Sequence, residues 1–167
     1  MKTKYCILFA GVPGSSKSPM AHHLSWNLGL PFFNNDVLRT EVKEDLLEFN
    51  QTEYERRRDE RIKTLVIHGQ PFIYDASIDR AWEDRGRYLD EAGYEYFIIS
   101  LDLSSELLNK IYEAKGYREF AELELRQPEH DAFLQKYGYL VNLHITDKEF
   151  PQRLNMSLDA VRNWLNS

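Results

Sequence analysis

Apolar runs of strand length recur along the chain at residues 5–10, 31–34, 72–75, 94–102 and 139–145. Helix-compatible stretches lie between them, at residues 17–28, 37–49, 53–68, 81–92, 105–114 and 158–165. Alternation of this kind predicts an α/β fold, a parallel sheet covered by helices on both faces. Ligands on such sheets bind at the carboxyl ends of the strands. Gly11, Asn35, Asp36, Asp75 and Asp102 all fall at or near those ends, which predicts one shared site.

Residues 115–136 follow a different pattern. Glu119, Glu122, Glu124, Arg126, Glu129, His130 and Asp131 make the stretch strongly charged, while Phe120, Leu123, Leu125, Phe133 and Leu134 give it one apolar face. It reads either as a helical insertion acting as a mobile lid or as a solvated surface helix pair. The sequence has no internal repeat, low-complexity tract or linker, so one domain over residues 1–167 is expected.

Composition narrows the function classes. A chain of 167 residues with 43% hydrophobic and 29% charged residues is expected to fold as a soluble globular domain. Its 27 acidic against 21 basic residues, net charge −6, argue against broad duplex binding, which depends on phosphate neutralisation. A narrow basic site for one phosphorylated compound remains compatible with that charge. The single cysteine, Cys6, lies in the first apolar run and has no disulfide partner, as in a reduced, cytoplasmic setting. No apolar run approaches the length that spans a membrane.

The strongest chemical signal is Gly11-Val12-Pro13-Gly14-Ser15-Ser16-Lys17-Ser18, between the first strand and the first helix. This is the context of a phosphate-binding P-loop. Backbone N–H groups turned inward form an anion nest, and the helix N-terminus adds partial positive charge. Lys17 is expected to reach the outer phosphates and Ser18 to ligate Mg²⁺, with ATP or another nucleoside triphosphate as the cofactor. The alternative is an ordinary Gly/Ser-rich turn. Ser16 stands where the pattern has glycine, so the turn is expected to avoid strongly left-handed angles. Pro19 has no N–H at a place where an amide usually faces an inner phosphate, so one donor of the cradle is missing.

Three further groups of residues suit phosphoryl transfer, which needs an anchored nucleotide, a metal and an oriented acceptor. Asp75 ends an apolar strand, as a Mg²⁺-organising acid or as a simple turn starter. Asp36 reads as the cap of the next helix or as a base for a substrate hydroxyl, with Arg39 on the same face for an anionic group of the substrate. Asp79 and Arg80 fall at the same rim, as substrate ligands or as a salt bridge at a helix N-terminus. Phe32, Phe33, Tyr96 and Phe97 read as core.

Together the Gly11–Ser18 loop, Asn35-Asp36-Val37-Leu38-Arg39 and Tyr74-Asp75-Ala76-Ser77 with Arg80 resemble a group of P-loop kinases. That group includes phage polynucleotide 5′-hydroxyl kinase, zeta-type toxins and small kinases of the same architecture. The resemblance implies a P-loop NTPase three-layer sandwich with strand order 2-3-1-4-5. It also implies an acceptor-activating role for Asp36, an acceptor-binding role for Arg39 and metal support from Asp75. Such kinases carry arginines after the fourth strand and its helix; here lysines stand there, and Arg118 and Arg126 are the candidate substitutes. The expected function is a kinase that transfers the γ-phosphoryl group to a hydroxyl of a small molecule or a nucleic-acid 5′ end. The Arg-poor lid and Pro19 favour two alternatives, a nucleotide-binding module with weak or no catalysis and a partner-coupled NTPase.

Overall fold

The computed structural model describes residues 2–167. Strands β1 (Tyr5–Ala10), β2 (Phe32–Asn34), β3 (Phe72–Ser77), β4 (Glu95–Leu101) and β5 (Leu143–Ile145) form one sheet in the order β2-β3-β1-β4-β5. Every neighbouring pair is parallel. The helices are α1 (Lys17–Leu28), α2 (Asn35–Leu46), α3 (Gln51–Ile67), α4 (Trp82–Glu91), α5 (Ser105–Ala114), α6 (Ala121–Tyr137) and α7 (Arg153–Asn166). The expected fold class and strand order are those observed.

The central strand explains the unbroken apolar run at residues 5–10. Tyr5, Ile7 and Phe9 pack on one face with Met20 and Leu24 of α1, Leu108 of α5 and Val161 of α7. Cys6, Leu8 and Ala10 pack on the other with Ile62 of α3 and Leu89 of α4. Each side chain so buried contributes about 1.5–3 kcal/mol for the larger aliphatic and aromatic groups. Burial also pushes the Cys6 thiol well above its usual range, which makes it a core residue without nucleophilic character. Among the described residues no helix is long and apolar enough to cross a membrane.

Several boundaries differ from expectation for local reasons. The run 139–145 yields only the short β5, because Gly138–Leu140 forms a 3₁₀ turn and Tyr139 is exposed. There the Asn142 side chain accepts from the Ile98 amide at 2.8 Å and takes the place of a strand neighbour. Phe32, on the edge strand β2, is 41% exposed rather than core. The charged stretch forms one long helix, α6, preceded by an irregular segment. Leu123 joins the cluster on one face of the sheet and Phe133 the cluster on the other. Thus α6 crosses over the sheet instead of lying along one face.

Candidate active site

The loop between β1 and α1 wraps as the glycine pattern demands. Gly14 takes φ 75 and lies against Tyr112, so that a Cβ there would come within 2.6 Å of the ring. The Tyr112 hydroxyl donates to the Pro13 carbonyl at 2.6 Å and fixes the crest of the loop to α5. Ser16 corrects the expectation about its backbone: it is left-handed, with φ 87 and ψ 18. A left-handed residue with a Cβ costs about 1–2 kcal/mol. An offsetting contact holds it, since Arg153 Nε donates to Ser16 Oγ at 2.7 Å.

Lys17 folds back over the loop instead of entering the core. Its Nζ donates to the carbonyls of Gly11 at 2.8 Å and Val12 at 2.6 Å. Desolvation lowers the Lys17 pKa to about 8, against the opposing pull of Asp79 and Asp75. Lys17 thus stands as a desolvated cation in the wall of a cavity of about 500 Å³. Gly11, Pro13, Gly14, Ser16 and Ser18 line that cavity with it, as do Asp36, Arg39, Asp75, Asp79, Arg80 and Arg126. The side chains of Val12 and Ser15 are buried beneath the loop, and Arg118 stands exposed outside the lining.

Asp75 is brought to the loop by an irregularity in the sheet. Leu8 pairs with Tyr74 and Phe9 with Ser77, so Asp75 and Ala76 bulge out beside the start of the loop. Ser18 Oγ donates to Asp75 Oδ1 at 3.1 Å, and Asn34 Nδ2 donates to the other carboxylate oxygen. Burial outweighs these bonds and raises the Asp75 pKa. Among the described residues no cluster of three or more His, Cys, Asp or Glu could cage a metal by itself. A Ser hydroxyl beside one carboxylate does fit Mg²⁺, which takes one or two protein oxygens and completes its shell with phosphates and water.

Asp36 and Arg39 face the same cavity from the start of α2, 3.4 Å apart. The capping reading of Asp36 is corrected. Asn34 is the cap, its Oδ1 accepting from the Val37 amide at 2.9 Å, and α2 therefore begins two residues earlier than expected. The Asp36 carboxylate is 83% exposed and pairs only with Arg39, so it is free to meet a ligand. Beside it the Asn35 Oδ1 is buried with no hydrogen-bond partner.

Asp79 does not pair with Arg80. Its carboxylate accepts from the Gly11 amide at 3.2 Å and from His130 Nδ1 at 3.1 Å. His130 Nε2 donates in turn to Asp102 at 3.0 Å, and Asp102 also binds Ser100 and His144. Asp102 therefore serves α6 rather than the cavity. Desolvation opposes a charge on His130, but the bonds to Asp102 and Asp79 prevail and raise its pKa to about 9. A raised histidine pKa stabilises the fold fully below its ordinary 6.5, and that stability is lost as pH rises through 9. Urea melts should therefore show stability falling across this window by on the order of 3 kcal/mol. His130→Gln should flatten that slope; an unchanged slope would mean that His130 is not the titrating group.

The α6 arginine is also engaged. Arg126 meets Glu122 at 2.9 Å and Glu129 at 3.0 Å, and Glu129 lies 3.3 Å from Arg80 as well. Two cations at the loop were missed as site residues in the sequence. Lys115 Nζ donates to the Gly14 carbonyl at 2.7 Å, and Arg153 holds Ser16 from the start of α7. Lys115 lies in the stretch where lysines replace expected arginines, a usable signal; Arg153 carries none.

No protein-family model and no curated protein matches the sequence. Solved structures do. The chain is similar to a candidate kinase from Chloroflexus aurantiacus, 22% identical with TM-score 0.66 over 99% of this chain and 98% of that one. It is similar to the tunicamycin resistance protein of Deinococcus radiodurans, 15% identical with TM-score 0.64 over 96% and 95%. A gluconokinase from Sinorhizobium meliloti gives 16% identity and TM-score 0.62 over 98% and 95%. At these identities the likeness is one of fold, that of the P-loop kinases.

Proposed function

We propose that this chain, built on the P-loop kinase fold, is an ATP- and Mg²⁺-dependent kinase acting on a hydroxyl of a small-molecule acceptor that also carries an anionic group. One observation carries the reading. A single cavity is lined by Lys17, by the Ser18–Asp75 pair and by the Asp36–Arg39 pair. A nucleotide and an acceptor can therefore meet in it.

The roles follow from chemistry and position. The loop amides and Lys17 hold the triphosphate, as fixed donors in a partly desolvated site. Ser18 and Asp75 would hold Mg²⁺, which when bound neutralises charge on the phosphates. Asp36, exposed beside Arg39, accepts the proton of the acceptor hydroxyl. Arg39 holds the anionic group of the acceptor, for which a guanidinium offers paired donors. The kinase-fold likeness to a gluconokinase supports a small polar acceptor.

Transfer of ³²P from labelled ATP across a panel of sugars, aminoglycosides, nucleosides and oligonucleotides with 5′-hydroxyl ends tests this. Labelling of one small-molecule class, dependent on Mg²⁺, is the expected result. Labelling of the oligonucleotides alone would move the acceptor to a nucleic-acid end. A second reading, a nucleotide-binding module with little catalysis, draws on the state of the α6 arginine. Arg126 is bound to two glutamates and Arg118 is outside the cavity lining, which leaves no free arginine from this region at the loop. ATP binding without transfer to any acceptor would favour it.

A further inference from the structure

Of the twelve arginines of the sequence, nine have a carboxylate within 4.0 Å. Among the described residues Arg118, Arg153 and Arg162 have none, and of these only Arg153 is partly buried. A guanidinium removed from water without a counter-charge is costly, and proteins accept it mainly where a ligand supplies the charge. Burial lowers the Arg153 pKa.

The surroundings of Arg153 indicate what that ligand is. Its Nε is bound to Ser16 Oγ at 2.7 Å and its Nη1 to the Phe150 carbonyl at 3.0 Å. The guanidinium lies over the Phe150 ring at 4.1 Å, which fixes its plane. Nη2 has no partner among the described residues. The side chain thus reaches the residue that caps α1, and the next residue, Leu154, shares a cleft with Ser18 and Pro19. Pro19 is the third residue of α1, in the turn whose amides face outward and favour an anion. One of those amides is absent because the residue is proline.

We propose that Arg153 is a nucleotide-phosphate ligand that takes over the place of the amide Pro19 lacks. The inference rests on the nucleotide-binding reading above and assigns it a further residue. The contact is to the phosphates nearer the nucleoside, so ATP and ADP should both depend on it. A fixed, stacked guanidinium can replace an amide there because it donates to a phosphate oxygen with charge as well as geometry.

Calorimetric titration of ATP and ADP into wild type, Arg153→Met, Pro19→Ala, Pro19→Thr and the two double variants tests this. Arg153→Met should weaken both nucleotides by about 10- to 100-fold, the loss of one charge-assisted hydrogen bond. Pro19→Ala and Pro19→Thr both restore an N–H and should tighten binding. In either Pro19 background Arg153→Met should cost less than about threefold, because the two donors serve the same phosphate. Should Arg153→Met fail to fold, Arg153→Lys keeps a charge without the fork and should give an intermediate loss. An equal loss with and without Pro19, or no loss at all, overturns the inference while leaving ATP binding in place. Wild type that binds neither nucleotide removes the parent reading and this one with it.

Discussion

Lys17→Ala is expected to abolish measurable ATP binding while the protein remains folded. Lys17 is the only charged side chain contributed by the loop itself, and its Nζ bridges the Gly11 and Val12 carbonyls at 2.8 and 2.6 Å. Those two carbonyls belong to the loop that must present its amides to phosphate. Removing the ammonium takes away the contact to the outer phosphates and leaves two inward carbonyls without their donor. An ammonium that meets two phosphate groups makes two charge-assisted bonds of about 1.5–3 kcal/mol each, so affinity should fall by at least ~100-fold. Because Lys17 is desolvated at a cost that its partners only partly offset, the melting temperature should change little or rise. Calorimetric titration alongside a thermal melt separates the two effects. Affinity kept within threefold of wild type would remove this loop as the phosphate site.

The second large effect concerns the transfer step. Asp36→Asn should leave ATP affinity nearly intact and reduce phosphoryl transfer by about 10²–10⁴-fold, the usual contribution of a positioned base. The amide keeps the size and the hydrogen-bonding oxygen of the carboxylate but cannot take the proton. Sequence reading alone predicted that Asp36→Ala would lose a helix cap as well. The structure changes that expectation, since Asn34 caps α2 and Asp36 sits within its first turn. Asp36→Ala should therefore cost only the helix-dipole contribution, about 0.3–1 kcal/mol. Single-turnover transfer rates for both variants, with whichever acceptor works in the labelling panel, check the assignment. Equal rates for wild type and Asp36→Asn would leave Asp36 as a surface partner of Arg39 and nothing more.

Much of the framework was legible because its causes are local. A strand buried on both faces must be apolar throughout, and β1 is found at the bounds its apolar run predicts, Tyr5–Ala10. Helices α1 and α5 likewise match their expected bounds, Lys17–Leu28 and Ser105–Ala114. Where expectation slipped, a local competitor had been overlooked. Asn34 took the cap that Asp36 was expected to supply, and the Asn142 side chain replaced strand backbone next to Ile98. Ser16 shows a different failure. Its left-handed backbone is held by a contact from Arg153, 137 residues away, which no local rule about serine could supply.

What the amino-acid sequence determined by itself was the α/β alternation, the position of the loop and the carboxylates that end the strands. These depend on periodicity, on glycine and proline geometry and on neighbours a few residues apart. Tertiary structure alone decided which charges stand free. Asp79, at the cavity wall, was taken up by Gly11 and His130, and Asp102 was drawn to His130 and His144, outside the cavity lining. Arg126 was taken up by glutamates, while Lys115 and Arg153 were brought to the loop from 101 and 137 residues away. The physical reason is that a charge is set by its nearest counter-charge. Which carboxylate lies nearest depends on how α6 crosses the sheet and where α7 begins against α1, and neither crossing leaves a period in the sequence.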